Sequence, residues 1–126
     1  MASLDRQAAR RRGRWAETAA AWRLRLAGFR ILARGYVTGR GSGAGEVDIV
    51  ARRGRLLVFV EVKQRADLVA AAQAVGPRQQ GRIARAAQAW LARHPALSEC
   101  DVRFDAVLVA PWRLPVHIAD AWRMDA

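Results

Sequence analysis

Gly45-Glu46-Val47-Asp48-Ile49-Val50-Ala51-Arg52 and Leu56-Leu57-Val58-Phe59-Val60-Glu61-Val62-Lys63-Gln64-Arg65 lie on either side of Arg53-Gly54, and their reading decides the fold. Both runs are rich in β-branched and aliphatic residues and bounded by glycine and arginine, the pattern of half-buried strands. Gly54 tolerates φ > 0, so a two-residue turn at Arg53-Gly54 is the simplest connection. That turn sets Arg52 opposite Arg55, Val50 opposite Leu57, Asp48 opposite Phe59 and Glu46 opposite Glu61. Opposed residues share a face and alternate residues return to it. Glu46, Asp48, Glu61 and Lys63 are therefore expected on one face, amid Val50, Leu57 and Phe59. A slip of one residue would send Asp48 to the other face.

Such a face is unfavourable unless it has a use. Like charges directly opposed destabilise a sheet, and carboxylates on an apolar surface suffer desolvation. A divalent cation removes the repulsion, because Mg²⁺ takes one or two carboxylates and keeps other positions for water and phosphate. An ammonium two residues beyond Glu61 then sits where phosphate charge develops. The plainer alternative is an acidic strand end held by a local Glu–Lys pair at the solvent edge. Composition weighs between the two. Of the 22 basic residues, Lys63 is the single lysine and the rest are arginine. A compact ammonium and a planar guanidinium are not interchangeable at a catalytic centre. One ammonium kept within Glu61-Val62-Lys63 favours the functional reading.

An acid followed by a hydrophobic strand ending in Glu-x-Lys resembles the PD-(D/E)XK nuclease motif. The fuller pattern comprises Gly13-Arg14-Trp15-Ala16-Glu17, Gly45 to Ala51, Val58 to Arg65, and Arg103-Phe104-Asp105. It resembles the bacterial YraN family, also called UPF0102, predicted endonucleases similar to archaeal Holliday junction resolvases. The likeness runs from about residue 10 to about 124. It implies an α/β fold of restriction-endonuclease-like three-layer α/β/α type, with a central mixed sheet of four to five strands and an α-β-β-β-α-β core. It also implies a Mg²⁺ or Mn²⁺ site at Asp48 and Glu61 with Glu17 assisting, and Lys63 in the catalytic set. Gln79 and Gln80 fall one turn before Ile83 on the sheet side of the second helix, and Gln80 is expected to complete that set. Glu46 and Asp105 are expected in support of that site, Asp105 through a structural hydrogen bond rather than as a ligand. The family commonly has lysine where this chain has Gln79, while Arg82 matches a basic family position.

The rest of the chain fits around this centre. Trp15, Ala19, Trp22 and Leu26 recur at helical spacing, with Ala16, Ala20, Leu24 and Ala27 widening the stripe, predicting a first helix over about residues 5 to 28 with that stripe on the core. At about 100° per residue, Glu17 falls on the edge of the apolar arc; an exposed glutamate paired with an arginine is the plainer alternative. Gly28 ends the helix. Phe29 to Val37 reads as an edge or flanking strand. Gly39, Gly41, Gly43 and Gly45 lack the Gly-Lys-Ser/Thr ending of a phosphate loop and lead into a strand, so they form a connection beside the acidic face. Pro77 opens a second helix over about 77 to 94, burying Ile83, Ala86, Ala87, Trp90 and Leu91. Arg78, Arg82, Arg85 and Arg93 share its other side. Asp101 to Ala110 is a strand, Pro111 to Ile118 turns back as a short strand, and Ala119 to Met124 is expected as a helical turn. The five tryptophans are expected in the core or at interfaces, not as a base-stacking platform.

At 126 residues the chain is expected to be one domain, with residues 1–12 a basic extension of the first helix. No apolar run approaches the roughly 20 residues that span a bilayer. Cys100 is alone, which suits a reducing compartment, and a bacterial cytoplasmic location is expected. His94 and His117 lack zinc-type spacing with it. A net charge of +11 calls for a polyanion, with Arg14, Arg65, Arg78, Arg82 and Arg85 as candidate phosphate contacts. The expected function is a metal-dependent endonuclease acting on DNA phosphodiesters, with branched DNA as a candidate substrate and a homodimer as a candidate assembly. The alternatives are a non-catalytic nucleic-acid-binding module on a nuclease scaffold and a basic protein-interaction domain.

Overall fold

The computed structural model describes residues 2–39, 44–64 and 75–123, with side chains from Gly13 onward. Arg65, Gly41, Gly43, Met124 and the arginine side chains at positions 6, 10, 11 and 12 lie outside the described residues. The elements are α1 (Ala2–Leu26), β1 (Arg30–Thr38), β2 (Gly45–Arg53), β3 (Leu56–Gln64), α2 (Pro77–Ala92), a 3₁₀ turn (Pro95–Leu97), β4 (Asp101–Val109) and β5 (Val116–Trp122). The five strands lie in sequence order. All neighbours are antiparallel except β3 and β4. That parallel pair needs a crossover, which α2 supplies.

Each helix covers one face. Ala16, Ala20, Ala21 and Leu24 of α1 lie on Ile49, Ala51, Val58, Val60, Val107 and Val109. Ile83, Ala86, Ala87 and Trp90 of α2 lie on Val47, Val50, Leu57, Phe59 and Ala106. The result is the expected α/β/α layering around a mixed sheet. The approach of α2 is closest at Gly45, where an added Cβ would stand 2.6 Å from the Ala86 backbone nitrogen.

Four details depart from the sequence expectations. First, only part of the expected apolar arc of α1 enters the core, namely Ala16, Ala20 and Leu24, joined by Ala21. Trp15 and Trp22 are 52% and 59% exposed, and Leu26 more so. The helix carries two apolar stripes, and small side chains let it settle closely on a sheet already paved with valine and isoleucine. Gly28 at φ +91° closes it, with the Phe29 amide donating to the Leu24 carbonyl at 3.0 Å.

Second, the hairpin turn is Gly54-Arg55, since Arg53 pairs with Leu56. Gly54 takes φ +60° at the first central position, where a type II′ turn wants glycine. The register moves by two residues, preserving parity but placing Asp48, beyond Ile49↔Val60, level with Glu61 instead of Phe59.

Third, the simple alternation of β2 breaks at Asp48: Val47 and Val50 both face α2, whereas Ile49 faces α1. Its partner β1 changes phase at the same place. Arg34 pairs with Ile49 and Tyr36 with Val47, so Gly35, at φ +62°, stands across from Asp48. A positive-φ glycine inside a strand is how a ladder is kinked to re-aim a side chain.

Fourth, residues 119–122 continue β5 as strand. Asp120 at φ 53° and a register shift between Phe104 and Ala106 bend it so that Trp122 stacks on Phe104 at 5.6 Å.

Candidate active site at the open end of the sheet

The β2–β3 ladder ends at Ile49↔Val60, and beyond it the two strands part. The Val62 amide, which would otherwise pair across the ladder, donates to Asp48 Oδ2 at 2.8 Å. The kink at Gly35–Asp48 thus wedges a carboxylate between two strands. Asp48 opens toward a cleft of about 340 Å³ lined by Gly13, Arg14, Ala16, Glu17, Asp48, Val62 and Gln64, under the N-terminal half of α1.

Glu61 is 5% exposed and is held from the α2 side. Lys63 Nζ lies 3.1 Å from its Oε1, and Gln79 Nε2 donates to its Oε2 at 3.3 Å. Asp48 and Glu61 are therefore neighbours reached from opposite faces, a correction to the single shared face expected from alternation. The cause is the phase break. Their proximity is felt electrostatically: burial first, then the Glu61 charge, push the Asp48 carboxyl up from 3.8 to about 7, against the Val62 hydrogen bond. Glu17 and Glu46 add smaller pushes in the same direction.

The remaining candidates divide. Glu17 lines the Asp48 cleft, but its carboxylate is taken by Arg34, which also donates to Thr18. That is the ion pair of the plainer alternative. Glu46 pairs with Arg82 at 2.7 Å. Gln80 turns back to the Val75 carbonyl at 2.9 Å, and Gln79 meets Glu61 in its place. Gln79 is four residues before Ile83 and seven before Ala86, so it shares their sheet-facing stripe, while Gln80 is about 100° further round. Arg14 borders the Asp48 cleft and is exposed. Arg78, Arg82 and Arg85 line a second cleft of about 890 Å³ beside the start of α2, together with Gln79. Asp105 is remote in its bonding. It is fully buried, bound by Arg103 through two 2.8 Å bonds, by His117 at 2.7 Å and by the Asp120 amide at 3.0 Å. It makes the structural hydrogen bonds expected of it, to residues outside the carboxylate pair.

Whether a divalent cation suits this place follows from the donors. Asp48 and Glu61 are hard oxygen donors, and Asp48 in particular sits beside negative charge that a cation would offset. Two carboxylates with water and phosphate completing the shell satisfy Mg²⁺. Among the described residues no three acidic, histidine or cysteine side chains gather as a ready cage, so Glu17 would have to leave Arg34 to join. Sequence reasoning brought Gln79 and Gln80 to the sheet side but chose Gln80, and it missed the Gly35 kink. A glycine inside a strand run was the available signal for the kink.

Fold and site together define an α/β protein with nuclease-like layering and a carboxylate pair at the parted end of its sheet. A family model described as "Uncharacterised protein family UPF0102" matches residues 16–109. The chain is 65% identical over 119 residues to UPF0102 protein amb4503 of Paramagnetospirillum magneticum, covering 94% of this chain and 92% of that one. It is 54% identical over 122 residues to UPF0102 protein bll0669 of Bradyrhizobium diazoefficiens, covering 97% and 89%. A UPF0102 protein of Parvibaculum lavamentivorans is 53% identical over 116 residues, covering 92% and 84%. The chain belongs to the UPF0102 family.

Proposed function

We propose that this protein is a metal-dependent endonuclease acting on DNA phosphodiester bonds, with branched DNA as a candidate substrate. One observation carries the reading: two carboxylates flank the parted strand end, one from each face and close enough for Glu61 to raise the Asp48 carboxyl, with the chain's single lysine bonded to Glu61. Asp48 and Glu61 would hold Mg²⁺ or Mn²⁺, which when bound polarises the phosphate and lowers the pKa of a water. Lys63 steadies charge developing on the phosphate or orients the attacking water. Gln79 fixes the Glu61 carboxylate, and Glu17 is in reserve behind Arg34. Arg14 on one side, and Arg78, Arg82 and Arg85 on the other, supply sequence-independent phosphate contacts along the two clefts.

A branched substrate offers two equivalent strands, which suits a two-fold dimer. The Trp15–Trp22–Leu26 stripe fits that assembly. Antiparallel pairing about the Thr18–Ala19 midpoint would set Trp15 of one copy against Trp22 of the other, and sedimentation of Trp22→Glu beside the wild type reads the outcome.

The activity test incubates purified protein with linear duplex, single-stranded and four-way-junction DNA, with Mg²⁺, Mn²⁺ or chelator. Metal-dependent nicking should fall by roughly 10²–10⁴-fold in Lys63→Ala and Glu61→Ala. Tight, salt-sensitive binding without nicking under any condition would instead identify a binding module. Binding that does not weaken with salt would point to a protein-interaction domain.

A further inference from the structure

The connection from β4 to β5 carries Pro111-Trp112-Arg113-Leu114-Pro115. Because β4 runs parallel to β3, with Lys63 level with Leu108 and Gln64 with Val109, this loop leaves the sheet at the same end as Asp48, Glu61 and Lys63. Strands lie 4.7–4.9 Å apart and rise about 3.3 Å per residue, so Trp112 stands on the order of 10–15 Å from Lys63. Stacked nucleotides rise about 3.4 Å each along one strand, which makes the gap three or four of them.

Trp112 is fully exposed and Leu114 nearly so, more than the half-exposed Trp15 and Trp22 and unlike the buried Trp90 and Trp122, so this tryptophan departs from the core placement expected of it. Its backbone takes φ 64°, a left-handed conformation that a bulky side chain adopts only at a cost in free energy. Glycine or asparagine would occupy that position without strain. Nothing inside the fold accounts for the indole, since it makes no hydrogen bond or ring contact among the described residues. The prolines on either side limit how far the loop can relax. Arg113, exposed beside the ring, gives the tip a positive charge.

We propose that Trp112 is a wedge for broken base stacking. Its ring packs on a base left unstacked at a branch or nick, Arg113 meets the adjoining phosphate, and the scissile bond is thereby set a few nucleotides away in the carboxylate site. Apolar side chains enter weakened base steps in this manner, and an indole stacks on any base without reading its identity. The inference rests on the DNA-directed reading above and adds the feature that would be recognised.

The test measures affinity by fluorescence anisotropy for a four-way junction and for linear duplex, in chelator so that neither is cut. A 2-aminopurine at the branch reports local stacking. Loss of one base–aromatic contact corresponds to roughly 5–150-fold in affinity. Trp112→Ala should therefore weaken junction binding by that factor, leave duplex binding within about twofold, and abolish the 2-aminopurine response, while Trp112→Phe retains most of each. Trp112→Gly should melt no lower than the wild type, since it relieves the φ, and so separates wedge loss from misfolding. Equal discrimination by Trp112→Ala and the wild type would overturn the wedge and leave the nuclease reading standing. So would a Trp112→Ala chain that changes only its oligomeric state, which would make the loop a protein contact. A wild-type chain that binds neither DNA would overturn both.

Discussion

Asp48 and Asp105 are both carboxylates set into the sheet, and they are treated in opposite ways. Asp105, wholly buried on β4, is met by a guanidinium, an imidazole and a backbone amide. Burial alone would raise its carboxyl, but the bonds from His117, Arg103 and the Asp120 amide outweigh that and hold it down at about 2. Asp48, on β2, receives one amide bond, and burial first, then the charges of Glu61, Glu17 and Glu46, raise its carboxyl to about 7. A carboxylate that builds the fold is surrounded by partners. One surrounded by like charge is held there by the rest of the structure, which is what a site awaiting a cation requires.

Substitution should separate the two most sharply. Asp105→Asn strips the charge partner from Arg103 and a hydrogen-bond acceptor from His117, and should cost about 3–5 kcal/mol in urea unfolding, the scale for breaking a buried pair. A loss as small as that of a surface change would break the contrast. Saturating Mg²⁺ at about a hundred times its Kd should stabilise the wild type by about 2.7 kcal/mol and leave Asp48→Ala and Glu61→Ala unmoved. Equal stabilisation of all three chains would place the cation elsewhere.

Without metal, Asp48→Asn should be stabilising near pH 8 by about 1–3 kcal/mol, less than the full pKa displacement at about 1.4 kcal/mol per unit because Asn is a weaker acceptor for the Val62 amide. The pH dependence carries the same information with opposite signs. Folded Asp48 keeps a proton that the unfolded chain releases between about pH 3.8 and 7, so its contribution falls as pH rises through that window. Folded Asp105 has a depressed pKa, so its contribution is present above pH 3.8 and is lost as pH falls toward about 2. Thermal melts of the two Asn variants across pH 2–8 should each flatten one limb. The smallest effect is expected from Arg34→Ala, which frees the half-exposed Glu17. It should cost under about 1 kcal/mol, as surface pairs do, and strengthen Mg²⁺ retention in calorimetry if Glu17 then joins the ion.

Much of the architecture is written in local pattern. The runs at 45–53 and 56–64 alternate or are wholly apolar, Pro77 and Gly28 mark helix ends, and Glu61 and Lys63 stay on one face because β3 keeps its period. What escaped sequence reading depends on partners distant in the chain. The kink at Asp48 needs Gly35 on the neighbouring strand. The choice between the alanine and tryptophan stripes of α1 depends on how closely the sheet admits a helix, which one helix cannot reveal. The hairpin slipped by two because Gly54 suits either central position of a turn, and only the Asp48 environment shows what that slip changes. Gln79 and Gln80 differ by a single step around α2, finer than an approximate helix start resolves.

Gly45 ties these parts into one mechanical unit. With bare backbone against the backbone of Arg85 and Ala86 there is no side chain to act as a spring, so α2 and the strand bearing Asp48 are seated metal-to-metal, like two machined faces. A single methyl there would jack the helix off its seat, carrying Gln79 away from Glu61 and tilting the row of Arg78, Arg82 and Arg85 with it. Gly45→Ala is thus a shim that touches no charged side chain in either cleft, one that would detune both clefts while every acidic and basic group remained in the chain.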